Sequence, residues 1–376
     1  MPSGRKIRVL IVDDSAIVRK VLSEIVAAHP DLEVAGTASD PFVARDKILA
    51  LKPDVLTLDI EMPRMDGLTF LKKLMRFHPM PVVMVSSLGQ ASSRAAIEAL
   101  QSGAVDVVAK PGGPYSVTEM RDELARKIHA AAHASVHRAA SRTEPLSQNS
   151  PVPPALHSPA SSARSSATSS AMASATSSAM ASAVIGIGAS TGGVEALGRV
   201  LTQLPAHMPP IVVTQHIPAV FSAEFAQRLD KLCRVRVKEA QDGDRLEPGR
   251  VLIAPGNYHL TILKSGGGYC AVVRDGERVQ YQRPSVDVLF HSIAKEAGQD
   301  AMGAILTGMG ADGAEGLLAM KRAGARTIAQ DEATCVVFGM PREAIRMGAV
   351  DEILPLDRIS AELARFALRP AGARAG

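Results

Sequence analysis

The sequence predicts an α/β protein in two parts: an N-terminal (βα)5 unit on a parallel sheet, then a C-terminal doubly wound α/β unit on a mostly parallel sheet with a β-hairpin. Three observations carry this. Short β-branched runs alternate with stretches whose apolar residues recur every three or four positions, the signature of strands and amphipathic helices. From about residue 141 to 183 the composition turns to Ser, Ala, Thr and Pro, and SATSSAMA occurs twice in tandem, at 166–173 and 174–181. The length of 376 residues exceeds what one core ordinarily holds, since domains rarely pass about 250 residues.

In the first part the strand-like runs are IRVLIV (7–12), LEVAG (32–36), DVLTLD (54–59), PVVMVS (81–86) and VDVVAK (105–110). Helix-like stretches such as AIVRKVLSEIVAAH and LTFLKKLMRFH separate them. Near-continuous apolar strands imply a sheet covered on both faces. The Ser/Ala-rich segment lacks the apolar mass to offset ordering entropy, and its Ser and Thr compete for backbone hydrogen bonds, so a flexible linker is expected. Its repeat is too short and polar for a solenoid. The expected boundaries are 1–136, 137–182 for the linker, and 183–371. After the linker, AVIGIGAS, PIVVTQH, RVLIAP, AMGAILTG and ARTIAQD read as strands. The stretches VEALGRVLTQL, SAEFAQRLDKL, SVDVLFHSIAKEAG and AEGLLAMKRAG read as helices, and YHLTILKSGGGYCAVVRDGERVQY reads as a hairpin or two with GGG and DG turns.

Composition excludes several classes. Aromatics are 3%, Trp is absent and no basic run interleaves with Tyr or Phe, so neither a base-stacking platform nor a phosphate-tracking groove is expected and nucleic acid is not a partner. Cys233, Cys270 and Cys335 are scattered without metal or disulfide spacing, which fits a reduced cytoplasmic location. The N-terminus MPSGRKIRVLIVDDS and the lack of any long apolar run argue against a signal peptide or membrane insertion.

The first part collects acids. Asp13 and Asp14 end the first strand, Asp59 ends the third and Lys110 follows the fifth; a parallel sheet brings all of them to one edge. Grouped carboxylates repel, so such a cluster signals a bound cation, and hard oxygen donors suit Mg²⁺. A metal beside a lone carboxylate can template phosphoryl transfer onto it. Singly, each acid reads as a solvated helix cap. The strings VDDS, DIEMPRMDG (59–67), VSS (85–87) and KP (110–111) are more specific, and residues 5 to about 128 resemble the receiver domain of bacterial response regulators. The resemblance implies Asp59 as phospho-acceptor, Asp14 and Asp59 as Mg²⁺ ligands with the Glu61 carbonyl, and Asp13 supporting through water. It also implies that Ser86 donates its hydroxyl to the phosphoryl group and that Lys110 neutralises its charge, drawing loops inward as a two-state switch. One departure is Val107, where many receivers carry an aromatic residue. No helix-turn-helix pattern follows.

In the second part, IGIGASTGG (185–193) holds Ser190 among glycines. GASTG fits the G-x-S-x-G nucleophile turn, while the dinucleotide fingerprint fails on spacing and lacks an acid closing the next strand. A dinucleotide site and a purely structural turn both stay open on the local sequence. A serine nucleophile needs a base and an acid to orient it. Of His207, His216, His259 and His291, His216 closes the strand next in sequence, and ends of neighbouring strands lie about 5 Å apart. Asp312, in ILTGMGADGAEG (305–316), would sit at the same edge, though alone it also reads as an N-cap. The order Ser, His, Asp is not that of α/β-hydrolases.

That order, with GASTGG, TQH, TGMGADG, APGNYHL (254–260) and RPSVDVLFHS (283–292), resembles the catalytic domain of the chemotaxis protein-glutamate methylesterases, the CheB family. The resemblance covers the chain apart from the linker. It implies hydrolysis of glutamate γ-methyl esters on methyl-accepting chemoreceptors with release of methanol, deamidation of receptor glutamines, and no cofactor for the ester reaction. The backbone N–H groups of Thr191 and Met309 are candidate oxyanion donors, and Arg283 and Asp287 either line the substrate groove or mark an ordinary surface helix start. The receiver is expected to pack over the Ser190 edge until a chemotaxis histidine kinase phosphorylates Asp59, with weak tethering through so long a linker. A monomer is expected. Two other classes are a response regulator whose second part only binds partners and an NAD-dependent enzyme.

Overall fold

A computed structural model describes residues 5–87, 89–110, 117–135 and 183–369; the expected linker lies outside them. The first part alternates strand and helix: β1 Ile7–Val12, α1 Ala16–Ala27, β2 Leu32–Ala38, α2 Pro41–Leu51, β3 Val55–Asp59, α3 Gly67–Phe77, β4 Val82–Ser86, α4 Gln90–Gln101, β5 Asp106–Ala109 and α5 Val117–Ala132. The sheet order is β2-β1-β3-β4-β5, parallel throughout. The inner strands β3 and β4 are buried at every position, as helices on both faces require.

The second part comprises β6 Val184–Ala189, α6 Gly193–Leu201, β7 Ile211–Gln215, α7 Ala219–Leu232, β8 Arg236–Glu239, β9 Arg250–Ile253, the hairpin β10 His259–Ser265 and β11 Gly268–Arg274, and α8 Val286–Glu296. It continues through β12 Ala301–Ile305, α9 Ala314–Arg322, β13 Arg326–Gln330, α10 Met340–Arg346, β14 Glu352–Leu354 and α11 Leu356–Ala367. Seven strands form one sheet in the order β14-β13-β12-β6-β7-β9-β8, and the hairpin stands apart as a two-stranded antiparallel sheet. The sequence reading omitted β8, β14, α10 and α11. The two strands are short edges whose residues are largely half-exposed, so they lack the continuous apolar run that marks the interior.

β6 is central, and the chain leaves it toward β7 on one side and returns as β12 on the other. Such a reversal opens a crevice at the strands' carboxyl ends. Two glycines of β6 bring α8 close: a Cβ on Gly186 would lie 2.5 Å from Ile293 Cδ1, and one on Gly188 2.2 Å from Val286 Cγ1. The N-terminus of α8 is thereby seated at that crevice. Among the described residues no helix is long and apolar enough to cross a membrane.

Candidate active site

Ser190 follows the last residue of β6, and His216 the last of β7; Ala189 and Gln215 are register partners, so the two side chains start from adjacent strand ends. The Ser190 turn is held by its own N–H to Thr307 O (3.0 Å), by Gly193 N–H to Ser190 O (2.7 Å), and by Gln215 Nε2–H to Ser190 O (2.8 Å). Gly192 sits at φ 79°, where a Cβ would be 2.6 Å from Val336 Cβ, and a Cβ on Gly193 would be 2.0 Å from Gln215 Oε1. Glycine is needed there for packing against protein side chains.

His216 Nε2 lies 2.7 Å from Asp312 Oδ2, with both side chains buried. Asp312 accepts three further hydrogen bonds: at Oδ1 from Ser285 Oγ–H (2.7 Å) and Asp287 N–H (3.0 Å), and at Oδ2 from Val286 N–H (2.7 Å). It therefore sits on the N-terminus of α8, where backbone N–H groups and the helix dipole favour an anion. It does not cap the helix that follows it, whose N-cap is Gly313. Burial pushes its carboxyl up, but the hydrogen bond and charge of His216 with the α8 amide and Ser285 outweigh burial and hold it below the usual carboxylate value. A carboxylate on Nε2 requires the proton there, which makes Nδ1 the basic nitrogen. Nδ1 is buried and has no hydrogen-bond partner among the described residues.

The other histidines have different tasks. His207 is exposed. His259 takes Ser285 N–H at Nδ1 (3.2 Å) and meets Glu277 O through Nε2 (2.8 Å), bracing the residue that bonds Asp312. His291 Nδ1 meets Asp287 O on its own helix at 2.7 Å. Asp287 does not line a groove: it is buried and accepts Gly316 N–H at Oδ1 (2.7 Å) and Gln280 Nε2–H at Oδ2 (2.9 Å). Burial pushes its carboxyl up to about 6, opposed by the Gly316 amide and reinforced by the charge of Asp312. Arg283 is at the cleft, tied to Asn257 Oδ1 (2.8 Å) and Asp275 Oδ1 (2.5 Å).

Ser285, Gln215 and Thr307 were not singled out from sequence. Ser285 had a signal, as an N-cap serine before an apolar-periodic stretch. Gln215 and Thr307 had none, because the partners that give them a role, Ser190 O for Gln215 and Thr191 O and Val337 O for Thr307, lie 25 to 116 positions away in the chain.

The resulting cleft, about 370 Å³, is lined by Ser190, Thr191, His216, Met309 and Asp312, and on the opposite side by the first part of the chain. There Thr191 Oγ1–H donates to Asp106 Oδ2 at 2.6 Å. Asp106 pairs with Lys127 Nζ (3.0 Å), which also meets Glu123 (3.0 Å) and Val107 O (2.5 Å). Arg126 of α5 lies 5.4 Å from the Tyr281 ring centroid, Ser135 N–H donates to Val336 O (2.9 Å), and α4 packs on α6 and α7 with Arg94 on Glu224 (3.1 Å).

The acids of the first part also converge. Carboxylate oxygens of Asp13, Asp14 and Asp59 all lie within 4.8 Å of one another, with Asp14 exposed and the other two buried. Lys110 Nζ reaches Asp59 Oδ2 (2.8 Å) and Asp13 Oδ2 (3.0 Å). Burial pushes Asp59 up to about 6; the Lys110 hydrogen bond opposes this and the Asp13 charge adds to it. An all-oxygen donor set with one solvent-open member fits Mg²⁺. Ser86 Oγ–H is turned to Ser87 O (3.1 Å), and the Glu61 side chain is held by Ser87 and Ser92. Val107, which stands where an aromatic residue would be expected of a receiver, is buried core.

Comparison with known proteins returned concordant matches. Residues 185–363 match the family model described as CheB methylesterase, and residues 9–122 that of the response regulator receiver domain. The protein-glutamate methylesterase/protein-glutamine glutaminase 2 of Syntrophus aciditrophicus is 53% identical over 96% of this chain and 99% of its own length. The enzyme of the same name from Salmonella typhimurium is 49% identical, over 95% and 96%. Among solved structures, the CheB methylesterase catalytic domain of Thermotoga maritima matches at 39% identity with a TM-score of 0.48, covering 49% of this chain and 97% of that one.

Proposed function

The chain belongs to the CheB methylesterase family, and on that premise we propose a protein-glutamate methylesterase and protein-glutamine glutaminase in which Ser190, His216 and Asp312 do the chemistry and a receiver regulates it. The observation that carries the residue assignment is the His216 Nε2–Asp312 Oδ2 contact at 2.7 Å, with Nδ1 left without a partner among the described residues. Ser190 Oγ attacks the γ-ester carbonyl while its proton passes to His216 Nδ1. Asp312 holds the ring and stabilises the imidazolium. The N–H groups of Thr191 and Met309 receive the oxyanion. Collapse expels methanol, which takes the proton from Nδ1; water then gives its proton to Nδ1 as it attacks the acyl-enzyme, freeing glutamate and Ser190. A glutamine side chain follows the same path with ammonia as the leaving group. No cofactor takes part.

Receiver regulation follows from the first part. Asp59 accepts a phosphoryl group from a chemotaxis histidine kinase. Mg²⁺, held by Asp14, Asp59 and the Glu61 carbonyl with Asp13 through water, would neutralise phosphoryl charge. Lys110 then transfers its contact from Asp59 and Asp13 to the new phosphoryl oxygens, and Ser86 turns its hydroxyl from Ser87 O to the same group. Because Lys110 directly follows β5, whose first residue Asp106 holds Thr191, this rearrangement loosens the cover on the cleft. The division is a receiver at 1–136, a linker at 137–182 and a catalytic domain at 183–371, in a monomeric cytoplasmic protein that acts on methyl-accepting chemoreceptors.

The test is methanol release from methylated receptor membranes. Ser190→Ala should lose roughly 10³-fold or more while still accepting phosphoryl at Asp59, which reports that the chain is folded. Undiminished release would remove Ser190 from the mechanism.

A further inference from the structure

The turn at the mouth of the cleft carries a backbone its sequence does not favour. Gln280 and Tyr281 have φ of 48° and 66°, two successive left-handed residues with side chains, where glycine or asparagine fits at least cost. Val279 and Gln282 exchange both backbone hydrogen bonds across them, at 3.1 and 2.8 Å. The other non-glycine residues at positive φ among those described, Lys52, Arg64 and Asn257, each stand alone. Strain of this kind persists only where its surroundings impose it. Here the restraint is identifiable, because Gln280 Nε2–H donates to the buried Asp287, whose own N–H donates to Asp312. The turn is pinned to the same helix start that holds the proposed catalytic acid.

What the pinning presents to solvent is Tyr281, 73% exposed and lining the cleft together with Ser190 and His216. Among the described residues its one ring contact is Arg126, across the cleft. The structure also shows what kind of surface the ring accepts. Helix α5 lies across the cleft, with Glu123 lining it and Arg126, one turn on, laid over the Tyr281 ring; residues three apart share a helix face. A helix carrying a glutamate thus already sits where a helix carrying a glutamyl ester must go.

We propose that Tyr281 is a specificity-determining residue: its ring packs against the receptor helix beside the esterified glutamate and sets the register in which that side chain enters the cleft. This rests on the methylesterase reading above. A rigid aromatic ring at an interface supplies large contact area at low entropic cost.

The test uses the full chain with a small-molecule phosphodonor at saturation, and compares kcat/KM on methylated receptor membranes with kcat/KM on a small soluble acyl ester. Tyr281→Ala should lower the ratio of the two about tenfold, chiefly through KM for receptor. Tyr281→Phe should keep it within about twofold, since the ring and not the hydroxyl makes the contact. Tyr281→Gly should lower the ratio as Ala does while raising Tm, because glycine relieves the left-handed strain. A ratio within about twofold of wild type for Tyr281→Ala, where a rim contact of no energetic weight would leave it, overturns the proposal. So does an effect confined to a faster rate without phosphodonor, which would mean that the ring serves Arg126 alone. Failure of the wild type to release methanol from receptors, with hydrolysis of the small ester intact, removes the methylesterase reading itself.

Discussion

Asp106→Ala removes one of the contacts that tie the receiver to the catalytic domain, and with it the Lys127 pair and the acceptor of Val107 N–H inside the receiver. The carboxylate accepts the Thr191 hydroxyl at 2.6 Å in a buried setting, one residue from Ser190. A hydrogen bond to a charged group contributes about 1.5–3 kcal/mol. Losing it leaves the Thr191 hydroxyl without its partner only while the two domains are docked, because water replaces it when they separate. The docking equilibrium should therefore shift by roughly tenfold to 150-fold toward the open form. Lys127 keeps Glu123 and Val107 O, and no catalytic group is altered. The expected result is a rise in methanol release without phosphodonor, toward the stimulated wild-type rate and no further, with a collapse of the phosphodonor response. Arg94→Ala is the comparison: its ion pair with Glu224 has Arg94 69% exposed, and such surface pairs contribute about 0–1 kcal/mol, so a rise of about fivefold at most is expected. A basal rate for Asp106→Ala within about twofold of wild type, far below the shift that one charged hydrogen bond supplies, would refute the reasoning.

Two further outcomes follow from the charges. Asp312→Asn should lower kcat for methanol release by roughly 10³- to 10⁴-fold, because an amide neither enforces the Nε2–H form of His216 nor stabilises its charged form; a loss below about tenfold would assign the orienting role elsewhere. Asp59→Asn should stabilise the chain in the absence of Mg²⁺ in a pH-dependent way. The Asp59 carboxyl is pushed from 3.8 up to about 6 in the folded chain, by burial first, so ionising it opposes folding. The gain in Tm over wild type should be full above about pH 6, shrink as pH falls and vanish below about pH 4; a gain independent of pH would show that the carboxyl's charge is not its source.

Much of this was legible in the linear chain. Strand and helix alternation is set by local periodicity, and an α/β sheet sends every strand's carboxyl end to one edge. That is why the linear order alone groups Asp13, Asp59 and Lys110, and separately Ser190, His216 and Asp312. The same locality hid β8, β14 and α10, which are short; α11 carries the helical spacing in Leu356, Ile359, Leu363 and Phe366 and was legible though not read. Locality also misplaced Asp287, read as either a groove residue or an ordinary surface helix start, although its carboxylate is buried and turned inward to Gly316 and Gln280.

The sequence by itself determined the two α/β units, the residue types at each strand end and the glycines of the Ser190 turn, because each depends on neighbours within a few residues. Only the tertiary structure decided how those groups face one another. Asp312 is held as a carboxylate by His216 first and then by the Asp287 amide and the Ser285 hydroxyl, and the last two reach it because Gly186 and Gly188 let α8 lie close on β6. From that follows the proton on Nε2, and from that the assignment of Nδ1 as the base. Contacts between residues 25 to 96 positions apart are set by how elements pack, and packing leaves no periodic trace in the chain.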